Sequence, residues 1–216
     1  MSENPSQNPS PPTIVSVEFF FDPGCPWTWA TSRWLVEAAA ARQITIEWRS
    51  LSLGVLNAGR EIPEEYRSLV AAGVGAHRLF AALRDAGRND LVAAVYTEWG
   101  RRVHHDAEPP RTELVRAVAL SAGAGDWLDA IDDPSWDAAV EASTHEALDL
   151  AGPDIGSPVI AFGEPRFGIF GPIVSPPPIG DDGLRLLDLV LTSETIPGFF
   201  EIKRGRTTGP LPGARP

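Results

Sequence analysis

The sequence predicts an α/β protein in two parts, a small sheet layered with helices and a block of helices inserted into it. Three observations predict this. A strand–helix–strand pattern occupies residues 15–50. Helical patterns then run from about Pro63 to Leu150 without a strand signal. A hairpin and one more helix follow, up to Ser193.

Each element has its own reason. Residues 1–13 are polar and proline-rich, and read as a disordered tail. Val15–Phe21 is an apolar run that reads as a buried strand. Trp27–Ala41 is alanine-rich, with Trp34, Leu35 and Ala38 on one side of a helix. Ile44, Ile46 and Trp48 alternate with polar residues and make a second strand, which completes a βαβ unit of about 35 residues. Pro63-Glu64-Glu65 is a helix start, with proline and acids in the first turn. Further helices are expected over 76–86, 90–101, 111–122 and 135–150. The last of these starts at Asp133-Pro134 and stops at Gly152-Pro153. Val159–Phe162 and Phe167–Phe170 flank the turn residues Gly163-Glu164-Pro165 and form a β-hairpin. Asp181–Ser193 is a final helix, apolar through Leu184, Leu187, Val190 and Leu191. The order βαβ, helical block, ββα is that of a thioredoxin-like core with an inserted α-helical subdomain. The expected division is a tail (1–13), the core (14–59 and 153–204), the insert (60–152) and a flexible second tail (205–216).

Composition limits the function. The chain has 216 residues and a formal net charge of −11, which argues against nucleic acid as a partner, because phosphate binding needs a basic surface. No Lys or Arg precedes Arg33, so the positive region of a secretory signal is not expected, and no apolar run approaches transmembrane length. A cytoplasmic location is expected, where thiols stay reduced. The single cysteine, Cys25, excludes an internal disulfide.

Cys25 is also the centre of the chemistry. In Phe21-Asp22-Pro23-Gly24-Cys25-Pro26-Trp27-Thr28-Trp29 it stands where the first helix begins. Free N–H groups and the helix dipole favour a thiolate there, so Cys25 is expected to be partly exposed, with a pKa below the ordinary thiol value of about 8.5. A dithiol centre would carry cysteine where this chain has Thr28. The threonine can instead donate a hydrogen bond to the thiolate. Ser157-Pro158 precedes the first strand of the hairpin and is the candidate for a cis bond facing Cys25. Trp27 is either core or a stacking wall, whereas Trp29 and Trp34 read as core. Asn57 is a cap or a ligand for a sugar hydroxyl. Tyr66 packs with its hydroxyl at the surface or meets the ligand. His104 is a surface residue or a hydrogen-bonding residue at a cleft. With His105 and Asp106 it lacks the ligand spacing of a metal site. Lys203-Arg204-x-Arg206 reads as a solvated basic stretch.

The motif around Cys25 and Thr31-Ser32-Arg33-Trp34 resemble the DsbA-like thioredoxin-fold family of actinobacteria that contains the mycothiol-dependent nitroreductase. So do Leu51-Ser52-Leu53 with Asn57, Ile62-Pro63-Glu64-Glu65-Tyr66-Arg67, Gly100-Arg101-Arg102-Val103-His104, Gly156-Ser157-Pro158-Val159-Ile160, Phe170-Gly171-Pro172 and Phe199-Phe200-Glu201-Ile202-Lys203-Arg204. That family is related to kappa-class glutathione transferases and 2-hydroxychromene-2-carboxylate isomerases. The resemblance implies mycothiol as a low-molecular-weight thiol co-substrate, without metal or flavin, bound in a cleft between core and insert. It implies Cys25 as a catalytic residue, and Pro26, Trp27, Asn57, Tyr66, His104, Ser157 and Pro158 as the thiol-binding set; Thr28 joins Cys25 as catalytic on its hydrogen-bonding chemistry, not on the resemblance. The nitroreductase carries Cys-Pro-Trp-Cys, so Thr28 rules out carrying over its dithiol cycle. The expected activity is a monothiol oxidoreductase or transferase acting on small thiols and on electrophilic or disulfide substrates. The alternatives are a kappa-type isomerase using a bound thiol, and a degraded redox protein that binds without turnover. Nucleic acid and membrane are not expected partners, and a homodimer is left open.

Overall fold

The computed structural model describes residues 14–193 and 196–216, apart from the side chains of residues 65 and 66. The expected N-terminal tail, 1–13, lies outside the described residues. Four strands form one mixed sheet in the order β2-β1-β3-β4. They are β1 (Ser16–Phe21), β2 (Thr45–Ser50), β3 (Val159–Phe162) and β4 (Phe167–Phe170). β1 pairs parallel with β2, with Phe19 opposite Trp48, and antiparallel with β3, with Phe19 opposite Ile160. β3 and β4 form the hairpin.

The aromatic run of β1 works because the sheet is covered on both faces. Phe19 and Phe21 point into the main core, and Phe20 joins a second cluster with Leu51, Ala147, Val159 and Ala161. The helix α1 (Pro26–Ala41) crosses from β1 to β2 and packs on α7 (Gly180–Ser193). The Trp34 indole N–H donates to the Gly183 carbonyl at 2.8 Å and fixes that packing.

Between the two halves of the sheet lie α2 (Leu53–Leu56), α3 (Glu64–Asp85), α4 (Asn89–Gly100), α5 (Thr112–Ser121) and α6 (Asp137–Ala151), with 3-10 turns at Gly125–Asp132 and Pro134–Trp136. The described insert contains no strand. Its helices share the core of the sheet. The Phe21 ring lies 4.2 Å from that of Tyr96 on α4 and 5.2 Å from that of Phe80 on α3.

Three local expectations need correction. The starts at Pro63 and at residue 76 belong to one continuous helix, α3. Gly75 does not break it but allows close packing, since a Cβ there would come within 2.8 Å of Ile131. The short helix α2 was not foreseen. α4 does not stop at a loop but runs into a five-residue π-helical turn, Arg101–His105.

Candidate thiol site at the start of the first helix

The turn that carries Cys25 is built by Asp22. Asp22 Oδ1 accepts the Gly24 N–H at 2.8 Å, and the Cys25 N–H donates to the Asp22 carbonyl at 3.2 Å. This is the aspartate-led turn that an Asp-Pro-Gly sequence favours. The other carboxylate oxygen accepts the Leu53 N–H at 2.7 Å and lies 3.3 Å from Nε2 of the buried His77. The Pro23 carbonyl accepts two ring N–H groups, from Trp99 at 2.9 Å and His104 at 3.0 Å. A Cβ on Gly24 would come within 2.7 Å of Leu69. The loop is therefore held from both the sheet and the insert before the helix begins.

Cys25 is the N-cap of α1, with Pro26 in the first turn, and is half-buried. Its thiol faces the Ser157 carbonyl at 3.7 Å, a length at which an S–H donates. The Ser157–Pro158 bond is cis. The Ser157 hydroxyl oxygen accepts the Asp22 N–H at 2.9 Å and the Thr28 hydroxyl at 2.8 Å. Asp22, Cys25, Thr28 and Ser157 thus form one connected polar group, with Thr28 fully buried.

The expected low pKa of Cys25 is overturned. Burial pushes the thiol up. The Thr28 hydroxyl and the N–H groups of Thr28 and Trp27 pull it down, and the Asp22 carboxylate pushes it up again. Desolvation outweighs the helix terminus, so Cys25 rests as a thiol at neutral pH. Burial likewise lowers His104 to about 4, so it is a neutral imidazole donating to Pro23. Its ring stacks on Trp29 at 5.7 Å, and the Trp29 indole N–H donates to His105 Nε2 at 3.1 Å. Gly100 leaves room for this arrangement, because a Cβ there would fall 2.1 Å from the Trp29 ring.

Comparison with known proteins places the chain in a family. The family model described as "Mycothiol-dependent nitroreductase Rv2466c", of the Rv2466c-like group, matches residues 24–204. The uncharacterized protein Rv2286c of Mycobacterium tuberculosis is 31% identical over 206 residues, which is 90% of this chain and 84% of the relative. The chain belongs to the Rv2466c-like family. Solved structures share the fold with this Rv2466c-like protein. A probable DsbA oxidoreductase, SCO1869 from Streptomyces coelicolor, is 18% identical with a TM-score of 0.52, covering 89% of this chain and 94% of that one. A putative protein disulfide isomerase from Nitrosomonas europaea is 12% identical with a TM-score of 0.58, covering 83% and 98%. The cytosolic disulfide reductase DsbM from Pseudomonas aeruginosa, solved with GSH, is 16% identical with a TM-score of 0.52, covering 82% and 99%.

The remaining expected residues of this Rv2466c-like protein fall unevenly around Cys25. Trp27 is half-buried on the first turn of α1, with the Arg206 guanidinium 4.7 Å above its ring. Ser157 and Pro158 lie opposite Cys25, and His104 supports the loop from behind. Asn57 caps α2: its amide N–H donates to the Leu53 carbonyl at 2.8 Å and its oxygen accepts from Arg60 at 3.1 Å, so among the described residues its hydrogen bonds tie it to α2 and the loop after it, not to Cys25. The side chain of Tyr66 lies outside the described residues. Trp99 and His77 were not foreseen, and no local signal singles them out, because each meets the loop from the distant insert. Asp22 did have a signal, the Asp-Pro-Gly turn. Among the described residues no group of His, Cys, Asp and Glu is placed to hold a metal ion, and no helix is long and apolar enough to cross a membrane.

Proposed function

We propose that the protein is a monothiol thiol–disulfide oxidoreductase of the cytoplasm that works with mycothiol through Cys25. Membership of a mycothiol-dependent family supports a thiol-dependent redox enzyme of DsbA-like type. The observation that carries the finer reading is the placement of the chain's single thiol, at a helix N-terminus and 3.7 Å from the Ser157 carbonyl. An incoming thiol can pair with the Ser157 backbone there much as an added strand would.

The chemistry balances with one protein sulfur. The Cys25 thiolate attacks the mycothiol sulfur of a mixed disulfide. A new S–S bond joins Cys25 to mycothiol, and the substrate thiol leaves with the electron pair and takes up the proton. A second mycothiol thiolate then attacks that sulfur, releases Cys25 and leaves as mycothiol disulfide. Because Cys25 rests as a thiol, the attack depends on donors that engage the anion. The Thr28 hydroxyl is one. It has one proton to give, and turning it from Ser157 Oγ to Cys25 Sγ stabilises the thiolate.

The raised thiol favours a second reading. A neutral Cys25 can act as an S–H donor to the thiolate of bound mycothiol, which is then the nucleophile, as in the kappa-type relatives. Turnover of a mycothiol mixed disulfide by variants separates the two. Under the first reading Cys25→Ser and Cys25→Ala both abolish turnover. Thr28→Ala slows it by about 10- to 100-fold, the worth of one hydrogen bond to a charged group. Thr28→Cys gains dithiol reduction that the natural chain lacks. Activity retained in Cys25→Ser would instead establish the second reading.

A further inference from the structure

The segment from Arg206 to Arg215 has no helix or strand, yet it is fastened along its length. The Ser175 hydroxyl donates to the Gly209 carbonyl at 2.7 Å and accepts the Leu211 N–H at 2.9 Å. Gly213 lies so close to Pro177 that a Cβ would meet its ring at 2.9 Å. Arg215 forms a two-pronged pair with Asp106, at 2.9 and 2.8 Å. At the other end the Arg206 guanidinium covers Trp27. The path therefore starts over the first turn of α1, two residues from Cys25. It follows the 175–177 loop of the core and ends on the insert, just past the π-helical turn that holds His104.

We propose that residues 206–215 are a strap that closes the approach to Cys25 and opens by releasing Arg215 from Asp106. Two observations make it releasable. The Arg215 and Asp106 side chains are 46% and 42% exposed, so their pair is weak and screened by salt. Arg101 lies 3.7 Å from the same carboxylate, so Asp106 keeps a cationic neighbour when Arg215 leaves. Closed, the strap denies the outer face of Trp27 to any ligand that would stack on it. Open, it frees that face without disturbing the Asp22 turn. The strap does not depend on which thiol the protein uses, and its test needs no thiol substrate.

The test is the rate at which Cys25 is labelled by a bulky fluorescein maleimide and, separately, by iodoacetamide. Arg215→Asp and Asp106→Arg are each expected to raise the maleimide rate by about fivefold, the upper range for one exposed ion pair, with little change for iodoacetamide. The double swap should return the rate towards that of the natural chain. Ser175→Ala gives a second reading that leaves the ion pair intact: exchange protection of the Leu211 amide should fall as the maleimide rate rises. Maleimide rates unchanged in every variant, an equal rise for both reagents, or a double swap that restores nothing would each overturn the strap.

Discussion

At the scale of single residues, Cys25 shows two effects in competition. The N-terminus of α1 offers N–H groups to a thiolate, and the neighbourhood withholds water from it. The second effect wins, and the thiol is raised. For an acid, a raised pKa means that the anion is scarce at neutral pH and that attack accelerates as pH climbs. Alkylation of Cys25 by iodoacetamide should therefore have its midpoint above that of N-acetylcysteine amide, an uncharged model of the free residue, measured in the same buffers. A midpoint below the free thiol would restore the helix terminus as the governing effect. Asp22→Asn should bring the midpoint down, because it removes the carboxylate that opposes the thiolate. The Cys25 position, Thr28 and Ser157-Pro158 were legible in the sequence because a strand, a turn and a helix start leave local marks. The sign of the shift was not, because burial is a property of residues far along the chain.

At the scale of elements, the π-helical turn after α4 has a packing cause. Trp29 packs against Gly100, and the chain passes over it to deliver His104 to Pro23 and His105 to the indole N–H. Single π-turns often occur at functional sites, where an extra residue redirects side chains. Gly100→Ala should lower stability by about 1–3 kcal/mol, the cost of overpacking, since the added methyl meets a fully buried ring. Gly73→Ala, inside α3 with open space around its Cβ, should stabilise by about 0.5–1 kcal/mol through helix propensity. Urea midpoints of the two variants check this, and equal midpoints would show that the Trp29 contact does not set the turn. The same pair explains what the sequence left hidden. Two glycines at 73 and 75 weaken the helical pattern, and only the approach of Ile131 shows that Gly75 belongs inside a helix. Gly100-Arg101-Arg102 carries no mark of a π-turn without Trp29 beneath it.

At the scale of the whole molecule, one buried cluster joins sheet and insert, from Phe19 and Phe21 through Tyr96 and Phe80 to Val115 on α5. The fold class was legible because the βαβ and ββα signatures bracket an uninterrupted helical stretch. That the insert shares the core of the sheet was not, since it depends on which aromatic rings meet. The consequence for function is a Cys25 loop braced from both sides, by Ser157 of the core and by Trp99 and His104 of the insert. A single sulfur so placed should capture one thiol and no more. Intact mass after incubation with mycothiol disulfide tests this most directly. One mycothiol equivalent should appear on the natural chain, vanish on adding reduced mycothiol, and be absent from Cys25→Ala. A natural chain that stays unmodified while still turning over a mycothiol mixed disulfide would contradict covalent catalysis by Cys25.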